Sequence, residues 1–276
     1  MSISGKQIRL NRILNESGRG SLVVAFDHAL VLGPIPGTED PCGQIARFIE
    51  SRVNALLLNL GLVQRCVQCF PRAATPGIIA RIDWTTIWNS LRDGEQGALR
   101  SCMLATPEEA LRHGADAVLT YLVVGTGDAD FETKEIARNA QVARECERVG
   151  IPLMVETLAR GKAIENPGDP KWLSLHTRIA VELGADAIKT DYSGSAETMR
   201  KVVEDCPLPI LVLGGRRNRA ALDIVRGAMQ AGAAGVFFGR NVFQSEDMQG
   251  FLKEARTILD GTEAAASRSQ RNGQTE

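Results

Sequence analysis

Residues 184–192 read GADAIKTDY. The glycine ends a predicted helix, an apolar strand follows, and Lys189 stands near the C-terminal end of that strand. Lysine is normally a surface residue, and inside a protein it must be paired or must lose its proton more easily than usual. A neutral lysine amine can attack a carbonyl group and form a Schiff base. Lys189 is therefore either a catalytic nucleophile or a strand-end lysine that extends into solvent.

The same junction of helix, glycine and strand occurs twice more, at 113–118 (HGADAV) and 231–236 (AGAAGV). Each glycine can take the left-handed conformation that closes a helix. Other segments also alternate between predicted helices and predicted strands. Helices are predicted at 131–149, 170–183, 195–205 and 218–231, and 106–109 (TPEE) has the chemistry of a helix start. Eight apolar segments are predicted as strands: 21–27, 54–60, 77–82, 116–124, 151–158, 185–191, 208–213 and 234–239.

Eight strand and helix units in 276 residues predict an α/β protein, a single-domain (β/α)8 TIM barrel over residues 1–261. An open doubly wound sheet is the alternative, but no Gly-x-Gly-x-x-Gly follows a predicted strand. Residues 83–104, with two tryptophans, predict a long loop that could cover the site. Residues 262–276 are rich in Ser, Gln and Arg and predict a disordered tail.

Composition excludes several classes of protein. The net charge is −1, and no basic excess indicates binding to nucleic acid. The N-terminus lacks an apolar signal core and no stretch is long enough to span a bilayer, so we expect a cytoplasmic protein without membrane partners. The six cysteines are scattered. The segment 66–69 (CVQC) has redox or zinc spacing, but no second pair of ligands completes a site, and we interpret it as ordinary helix.

Polar residues or glycines lie at or after the ends of most predicted strands, where a barrel of this type carries its chemistry. Glycines expose backbone N–H groups and arginines add charge, so the loops after the last two strands predict a phosphate site. In chain order the candidate residues are Asp27, His28, Tyr121, Glu156, Arg160, Lys189, Gly214, Gly215, Arg216, Gly239 and Arg240.

Strand alternation leaves two orientations open for Glu156, which shares a strand face with Met154 and Leu158. If that face points into the barrel, the carboxylate needs a cation, and Lys189 on the neighbouring strand is available. If it points outward, Glu156 meets a helix.

Several motifs then occur in a recognisable order. They are 23–29 (VVAFDHA), 33–37 (GPIPG), 160–162 (RGK), 189–192 (KTDY), 214–215 (GG) and 239–244 (GRNVFQ). Over residues 6–260 the chain resembles the class I aldolases of the archaeal-type fructose-bisphosphate aldolase group. That group also includes 2-amino-3,7-dideoxy-heptulosonate synthase and the phosphorylated quorum-signal thiolase. The resemblance implies a (β/α)8 barrel, a Schiff base on Lys189, Asp27 as an acid–base partner, phosphate bound by the two glycine loops, and a homo-oligomer.

One departure from the family pattern concerns the proton donor. Members that act on sugar bisphosphates usually carry Tyr-Pro-Arg-Gly at the end of the fifth strand, with the tyrosine as donor, whereas 158–161 here reads LARG. Leu158 cannot donate a proton. Either Glu156 or Tyr121 replaces the tyrosine, or the reaction differs.

We expect a lyase that cleaves or forms a C–C bond in a phosphorylated ketose through a lysine Schiff base, with no metal and no cofactor. A zinc-dependent aldolase would need several histidines at strand ends, whereas His113 and His176 lie in predicted helices. Two other classes stay open. One is a transaldolase- or thiolase-like transferase that uses the same lysine, and the other is a non-catalytic phosphosugar-binding protein, which the Asp27–Lys189 pair disfavours.

Overall fold

Eight parallel strands close into a barrel in the computed structural model, which describes residues 3–15, 19–70, 75–89, 97–161, 164–215 and 220–272. The first barrel strand pairs with both the second and the last, so the sheet has no free edge. The predicted TIM barrel is confirmed, and the open sheet is wrong. The described strands are β1 (Ser21–Ala25), β2 (Ala55–Asn59), β3 (Gly77–Arg81), β4 (Asp83–Thr85), β5 (Ser101–Met103), β6 (Ala117–Val124), β7 (Leu153–Ala159), β8 (Ala187–Thr190), β9 (Ile210–Leu213) and β10 (Gly235–Phe238).

Helices connect the strands and pack against the outside of the barrel. The predicted helix start at Thr106 is a capping box with Glu109. The glycines of the repeated junction, Gly114, Gly184 and Gly232, all have positive φ, as predicted for residues that close a helix before a strand. The described helices are α1 (Ile3–Ile13), α2 (Ala29–Leu32), α3 (Pro41–Glu50), α4 (Leu60–Arg65), α5 (Pro107–Arg112), α6 (Ala129–Val149), α7 (Pro170–Glu182), α8 (Ala196–Glu204), α9 (Ala221–Gln230), α10 (Arg240–Phe243) and α11 (Met248–Asn272).

The aspartate of the repeated junction ties each strand to its neighbour. Asp116 accepts a hydrogen bond from the Ile78 backbone N–H at 3.0 Å, and Asp186 accepts one from the Leu153 N–H at 2.8 Å. Each aspartate also pairs with α1, Asp116 with Arg12 at 2.7 Å and Asp186 with Lys6 at 3.0 Å. The first helix is therefore held across the N-terminal end of the barrel.

The interior of the barrel is filled at that same end. Ile13 of α1 is fully buried and packs with inward-facing strand residues, which include Val23, Leu57, Ile79, Leu119, Met154, Leu211 and Phe237. A second, larger apolar layer lies between the strands and the helices. Because apolar side chains close the N-terminal end, the polar residues at the C-terminal ends of the strands line the accessible part of the interior.

Residues 83–104 differ from the predicted irregular loop. β4 and β5 form a small antiparallel ladder in which Trp84 lies opposite Cys102. A 3₁₀ turn, Thr86–Trp88, follows β4, while 90–96 lie outside the described residues. Strands of three residues are too short to show an alternating pattern in the sequence, which is why this hairpin was not predicted.

One other segment departs from the sequence-based predictions. Cys66 follows α4 and forms a disulfide with Cys42, with the two Cα atoms 5.3 Å apart, so 66–69 is not ordinary helix. The last helix is described as far as Asn272, and the disordered tail over 262–276 stays a prediction. Residues 273–276 lie outside the described part. Within the described ranges, no helix is both long and apolar enough to cross a lipid bilayer.

Closure of the barrel by α1 can be tested by removing its central contact. Ile13→Ala should lower the free energy of unfolding by about 2–4 kcal/mol, because it leaves a cavity that the surrounding strands cannot fill. Ile8→Ala is the matched control, since Ile8 lies in the same helix with 56 % of its surface exposed and should cost less than about 0.5 kcal/mol. Denaturant unfolding monitored by tryptophan fluorescence measures both. Equal losses would contradict the role assigned to Ile13.

Candidate active site

Strand register brings three predicted site residues into one row. Tyr121 of β6 lies opposite Glu156 of β7, which lies opposite Lys189 of β8. All three alternate with interior residues of their strands, and all three are buried. The row therefore stands inside the barrel, one layer above its apolar interior.

Lys189 does not extend into solvent. Its side chain is buried, its Nζ lies 2.9 Å from Oε2 of Glu156, and the ring of Phe237 is 5.0 Å from the Nζ. Glu156 faces inward, so the outward alternative is wrong. Burial alone would raise the pKa of Glu156, but the charges of Lys189 and Arg81 outweigh it and hold that pKa below its ordinary value.

Arg81 of β3 is the centre of the charged cluster, although it was not among the predicted site residues. Its Nε donates to Oδ2 of Asp27 at 3.0 Å, its Nη2 bonds Glu156, and its Nη1 lies 3.4 Å from Oδ1 of Asp83. Its guanidinium carbon stacks 3.6 Å from the centre of the Tyr121 ring. The sequence contained a signal for Arg81, because a charged residue in a predicted buried strand must be paired, as was argued for Lys189.

Asp27 and His28 lie just beyond the end of β1. Burial would raise the pKa of Asp27, but Arg81 and Lys189 outweigh it, and that pKa lies below its ordinary value. Burial lowers the pKa of His28 to about 4, so the imidazole is neutral near pH 7. Its Nδ1 is 3.6 Å from Oδ1 of Asp27, which is beyond hydrogen-bond distance.

Tyr121 keeps its phenolic proton at neutral pH. Burial raises its pKa well above the ordinary value, and the nearby cation Arg81 does not reverse that effect. Tyr121 therefore carries its proton and can donate a hydrogen bond, but it cannot act as a base. Leu158 packs in an apolar cluster with Ile87, Tyr121, Val123 and Phe131. The position two residues beyond Glu156 thus contributes packing and no proton donor.

A cavity of about 500 Å³ opens at the C-terminal ends of the strands. The turn 86–88 forms part of its wall through Ile87 and Trp88. Arg216 lies outside the described residues. The other predicted site residues all line the cavity: Asp27, His28, Tyr121, Glu156, Arg160, Lys189, Gly214, Gly215, Gly239 and Arg240.

The glycines after β9 and β10 allow two loops to pack closely beside this cavity. A Cβ atom at Gly214 would collide with the ring of Phe238, and one at Gly239 would collide with the ring of His28. Asn241 joins the loops by donating to the Gly214 carbonyl at 2.9 Å. The Gly214 N–H donates to the Phe237 carbonyl at 3.0 Å and so belongs to the backbone ladder.

Arg160, which follows β7, also lines the cavity and is paired with Asp191. Its Nη1 lies 2.9 Å from Oδ2 of Asp191, a residue that was quoted in the sequence motif but not predicted as a site residue. Burial raises the pKa of Asp191 even though Arg160 acts against it. In the described part of the chain, no three His, Cys, Asp or Glu side chains are grouped so that they could hold a metal ion.

Known proteins share both the sequence pattern and the fold. The chain is 35 % identical to the 2-amino-3,7-dideoxy-D-threo-hept-6-ulosonate synthase of Halobacterium salinarum, over 88 % of this chain and 87 % of that protein. It is 33 % identical to the 3-hydroxy-5-phosphonooxypentane-2,4-dione thiolase of Yersinia enterocolitica, over 95 % of this chain and 84 % of that protein.

A solved structure agrees with these relatives. It is an archaeal fructose-1,6-bisphosphate aldolase with the catalytic Lys covalently bound to the carbinolamine intermediate of the substrate. That structure superposes with a TM-score of 0.77 at 27 % identity, covering 92 % of this chain and 98 % of the other. The model of the DeoC/LacD family of aldolases matches residues 21–245. Together with the barrel and its buried lysine, these matches show that the chain belongs to the DeoC/LacD aldolase family.

Proposed function

We propose that this protein is a class I aldolase that cleaves or forms a C–C bond in a phosphorylated ketose through a Schiff base on Lys189. One observation carries the proposal: a buried lysine amine lies 2.9 Å from a carboxylate at the wall of a cavity large enough for a sugar phosphate. The carbinolamine of the archaeal aldolase supports the same chemistry here, and the phosphonooxy group in the name of the Yersinia thiolase supports a phosphorylated substrate.

Schiff-base formation begins with a proton transfer between two residues that already touch. Glu156 accepts a proton from the Lys189 ammonium, and the free amine attacks the ketone carbon. Protonated Glu156, or the Tyr121 phenol, then donates a proton to the carbinolamine hydroxyl. That hydroxyl leaves as water, and an iminium remains on Lys189.

C–C cleavage uses the iminium as an electron sink. A carboxylate, Asp27 or Glu156, removes the proton from the hydroxyl on the carbon that becomes an aldehyde. The C–C bond breaks, its electron pair moves onto the Lys189 nitrogen, and an enamine forms. A proton then returns to the enamine carbon, and water hydrolyses the iminium to release the second product and the free lysine.

The substrate phosphate is assigned to the side of the cavity formed by the loops after β9 and β10. Gly214 and Gly239 let the two loops pack beside the cavity, Gly215 leaves open space there, and Arg240 supplies positive charge. A phosphate anchored on that side orients the carbonyl toward Lys189, so binding energy from the phosphate favours the reactive geometry. The proposed reaction uses no metal and no cofactor. That the protein is a homo-oligomer and cytoplasmic remains a prediction.

A transferase is the second candidate, and one residue favours it. Leu158 removes the proton donor that the family resemblance leads us to expect, and the synthase and thiolase names of two relatives denote reactions other than bisphosphate cleavage. In this case the enamine, or an acyl group, would pass to an acceptor molecule. Product analysis with and without an acceptor aldehyde or coenzyme A distinguishes the two candidates.

Borohydride trapping tests the role of Lys189. Reduction in the presence of dihydroxyacetone phosphate should add a stable mass, because it converts the iminium to a secondary amine, and peptide mapping should place that mass on Lys189. Lys189→Arg should abolish trapping and turnover, since arginine stays protonated. Lys201→Arg, at an exposed lysine of α8, is the control and should behave as wild type. An adduct elsewhere, or none with any phosphorylated ketose, would refute the proposal.

Glu156→Gln separates acid–base chemistry from Schiff-base formation. The variant keeps the size of the side chain but removes the negative charge that stabilises the Lys189 ammonium, so solvent can take the lysine proton in place of the carboxylate and trapping should persist. Turnover should slow by roughly a hundredfold, the usual effect of losing one general acid or base. Glu182→Gln on the exposed face of α7 is the control. Normal turnover by Glu156→Gln together with slow turnover by Tyr121→Phe would transfer the role to the tyrosine.

Arg240→Ala tests the assigned phosphate side. KM for a phosphorylated ketose should rise roughly tenfold or more, the scale of one charge-assisted hydrogen bond, while an unphosphorylated ketose is affected little. Arg226→Ala, at a partly exposed arginine of α9, should leave both constants unchanged. Steady-state kinetics with the two ketoses gives the comparison, and equal losses for both would contradict the assignment.

A further inference from the structure

A row of alternating charges runs from the Schiff-base lysine to the outside of the barrel. Lys189 contacts Glu156, Glu156 contacts Arg81, and Arg81 contacts Asp83. Asp83 in turn pairs with Arg138 of α6, whose Nη1 lies 2.5 Å from its Oδ2. Arg81, Asp83 and Arg138 do not line the cavity. Their effect on a bound substrate would therefore pass through other residues.

Asp83 joins the inner and outer parts of this row. It is fully buried in the short strand β4, outside the barrel sheet. Its Oδ2 accepts from the Tyr121 backbone N–H at 2.7 Å and from Arg138, while its Oδ1 faces Arg81 at 3.4 Å. One carboxylate is thus shared by two guanidinium groups, one on each side of the barrel wall.

Arg138 occupies the outer end of the row. Its Nη2 donates to the Tyr121 carbonyl at 2.8 Å and to Oε1 of Glu135 at 2.7 Å, which fixes the guanidinium plane. Its side chain is 11 % exposed, beside Met103 of β5. Arg138 is therefore held by the barrel wall and the hairpin together.

We propose that Asp83 and Arg138 are positioning residues: Asp83 fixes the Arg81 guanidinium from the outer side, and Arg138 offsets the pull of Asp83, so that Arg81 stays in contact with both Glu156 and Asp27. This inference rests on the proposed function, because it assigns acid–base work to those carboxylates. The inference goes beyond the proposed function because it makes catalysis depend on the charge of Arg138, which lies at the outer face of the barrel in a helix that contacts no substrate.

Competition for Arg81 gives the physical reason. Three carboxylates, those of Asp27, Glu156 and Asp83, face one guanidinium. Arg138 supplies Asp83 with a second cation, which leaves more of the Arg81 charge for the other two. Without Arg138, Arg81 would be drawn toward Asp83, and its contacts to the reacting carboxylates would lengthen.

The charged and titratable groups that face Glu156 determine the sign of the expected pH effect. They are Lys189 from β8 and Asp191 just beyond it, Arg81 from β3, Tyr121 from β6, and Asp27 and His28 from the end of β1. The cations hold the pKa of Glu156 down, so activity is retained above that pKa and lost as the pH falls through it. Weakening Arg81 raises the pKa, and the acidic limb of the pH profile moves upward.

The test compares Arg138→Met, Arg138→Lys and a control, Arg148→Met, in the full-length protein. Arg148 lies in the same helix with its side chain 66 % exposed and pairs only across the surface with Glu108. With a phosphorylated ketose as substrate, Arg138→Met should lower kcat roughly tenfold with little change in KM, the consequence of a misplaced reacting group. Its acidic limb should rise by roughly half to one pH unit. Arg138→Lys should recover much of both effects, and Arg148→Met should match wild type.

Asp83→Asn gives a test of opposite sign that does not depend on the folding of Arg138→Met. It removes the charge that fixes Arg81 but keeps the shape of the side chain, so kcat should fall because Arg81 is less well placed. The acidic limb should move to lower pH, because Arg81 then faces two carboxylates instead of three. General loss of structure would not shift the limb in opposite directions in the two variants. If Asp83→Asn and the Arg138 variants have the kcat and the pH profile of the wild type, the inference is overturned. Borohydride trapping by the wild-type protein would still support the proposed function in that case. If wild type traps no ketose with borohydride, the proposed function fails and this inference falls with it.

Discussion

The contact between Lys189 and Glu156 is the interaction on which the rest of the site depends. A charged amine inside a barrel is costly unless a carboxylate meets it, and that carboxylate needs a second cation to satisfy its remaining oxygen lone pairs. Arg81 provides that cation and in doing so requires partners of its own, Asp27 and Asp83. Each buried charge therefore requires an oppositely charged partner. The series of ion pairs reaches the outer face of the barrel at Arg138.

This requirement also explains the division of the barrel into an apolar and a polar half. Below the row of Tyr121, Glu156 and Lys189, the interior is filled by aliphatic and aromatic side chains, and Ile13 closes it. In the described part of the chain, the cavity at the C-terminal ends of the strands gives water a route to the lysine. In that low-dielectric setting, the proposed proton transfer between Glu156 and Lys189 depends on the placement of a few charges, because bulk solvent screens them weakly.

Much of this arrangement could be predicted from the sequence, because periodicity and strand ends are local signals. The eight strands follow from short apolar runs, and Gly114, Gly184 and Gly232 mark the helix ends. Alternation left the orientation of Glu156 open, and its contact with Lys189 was predicted only for the inward case, which the structure shows. Arg81 was overlooked although the same argument applies to it. The Cys42–Cys66 disulfide and the β4–β5 hairpin could not be predicted, since they depend on long-range packing that leaves no periodic signal.

Leu158 stands where the family resemblance leads us to expect a proton donor, and the structure shows its surroundings. It lies two residues beyond Glu156, so a donor there would stand about 7 Å further toward the mouth of the cavity. In this chain Leu158 is fully buried and packs behind the cavity against Ile87, which lines the cavity together with Trp88. The groups able to exchange protons, Glu156, Tyr121 and Asp27, lie around Lys189 and Arg81. In the proposed reaction these groups serve the atoms near the lysine, and Ile87 and Trp88 present an apolar surface to the rest of the substrate or to the acceptor.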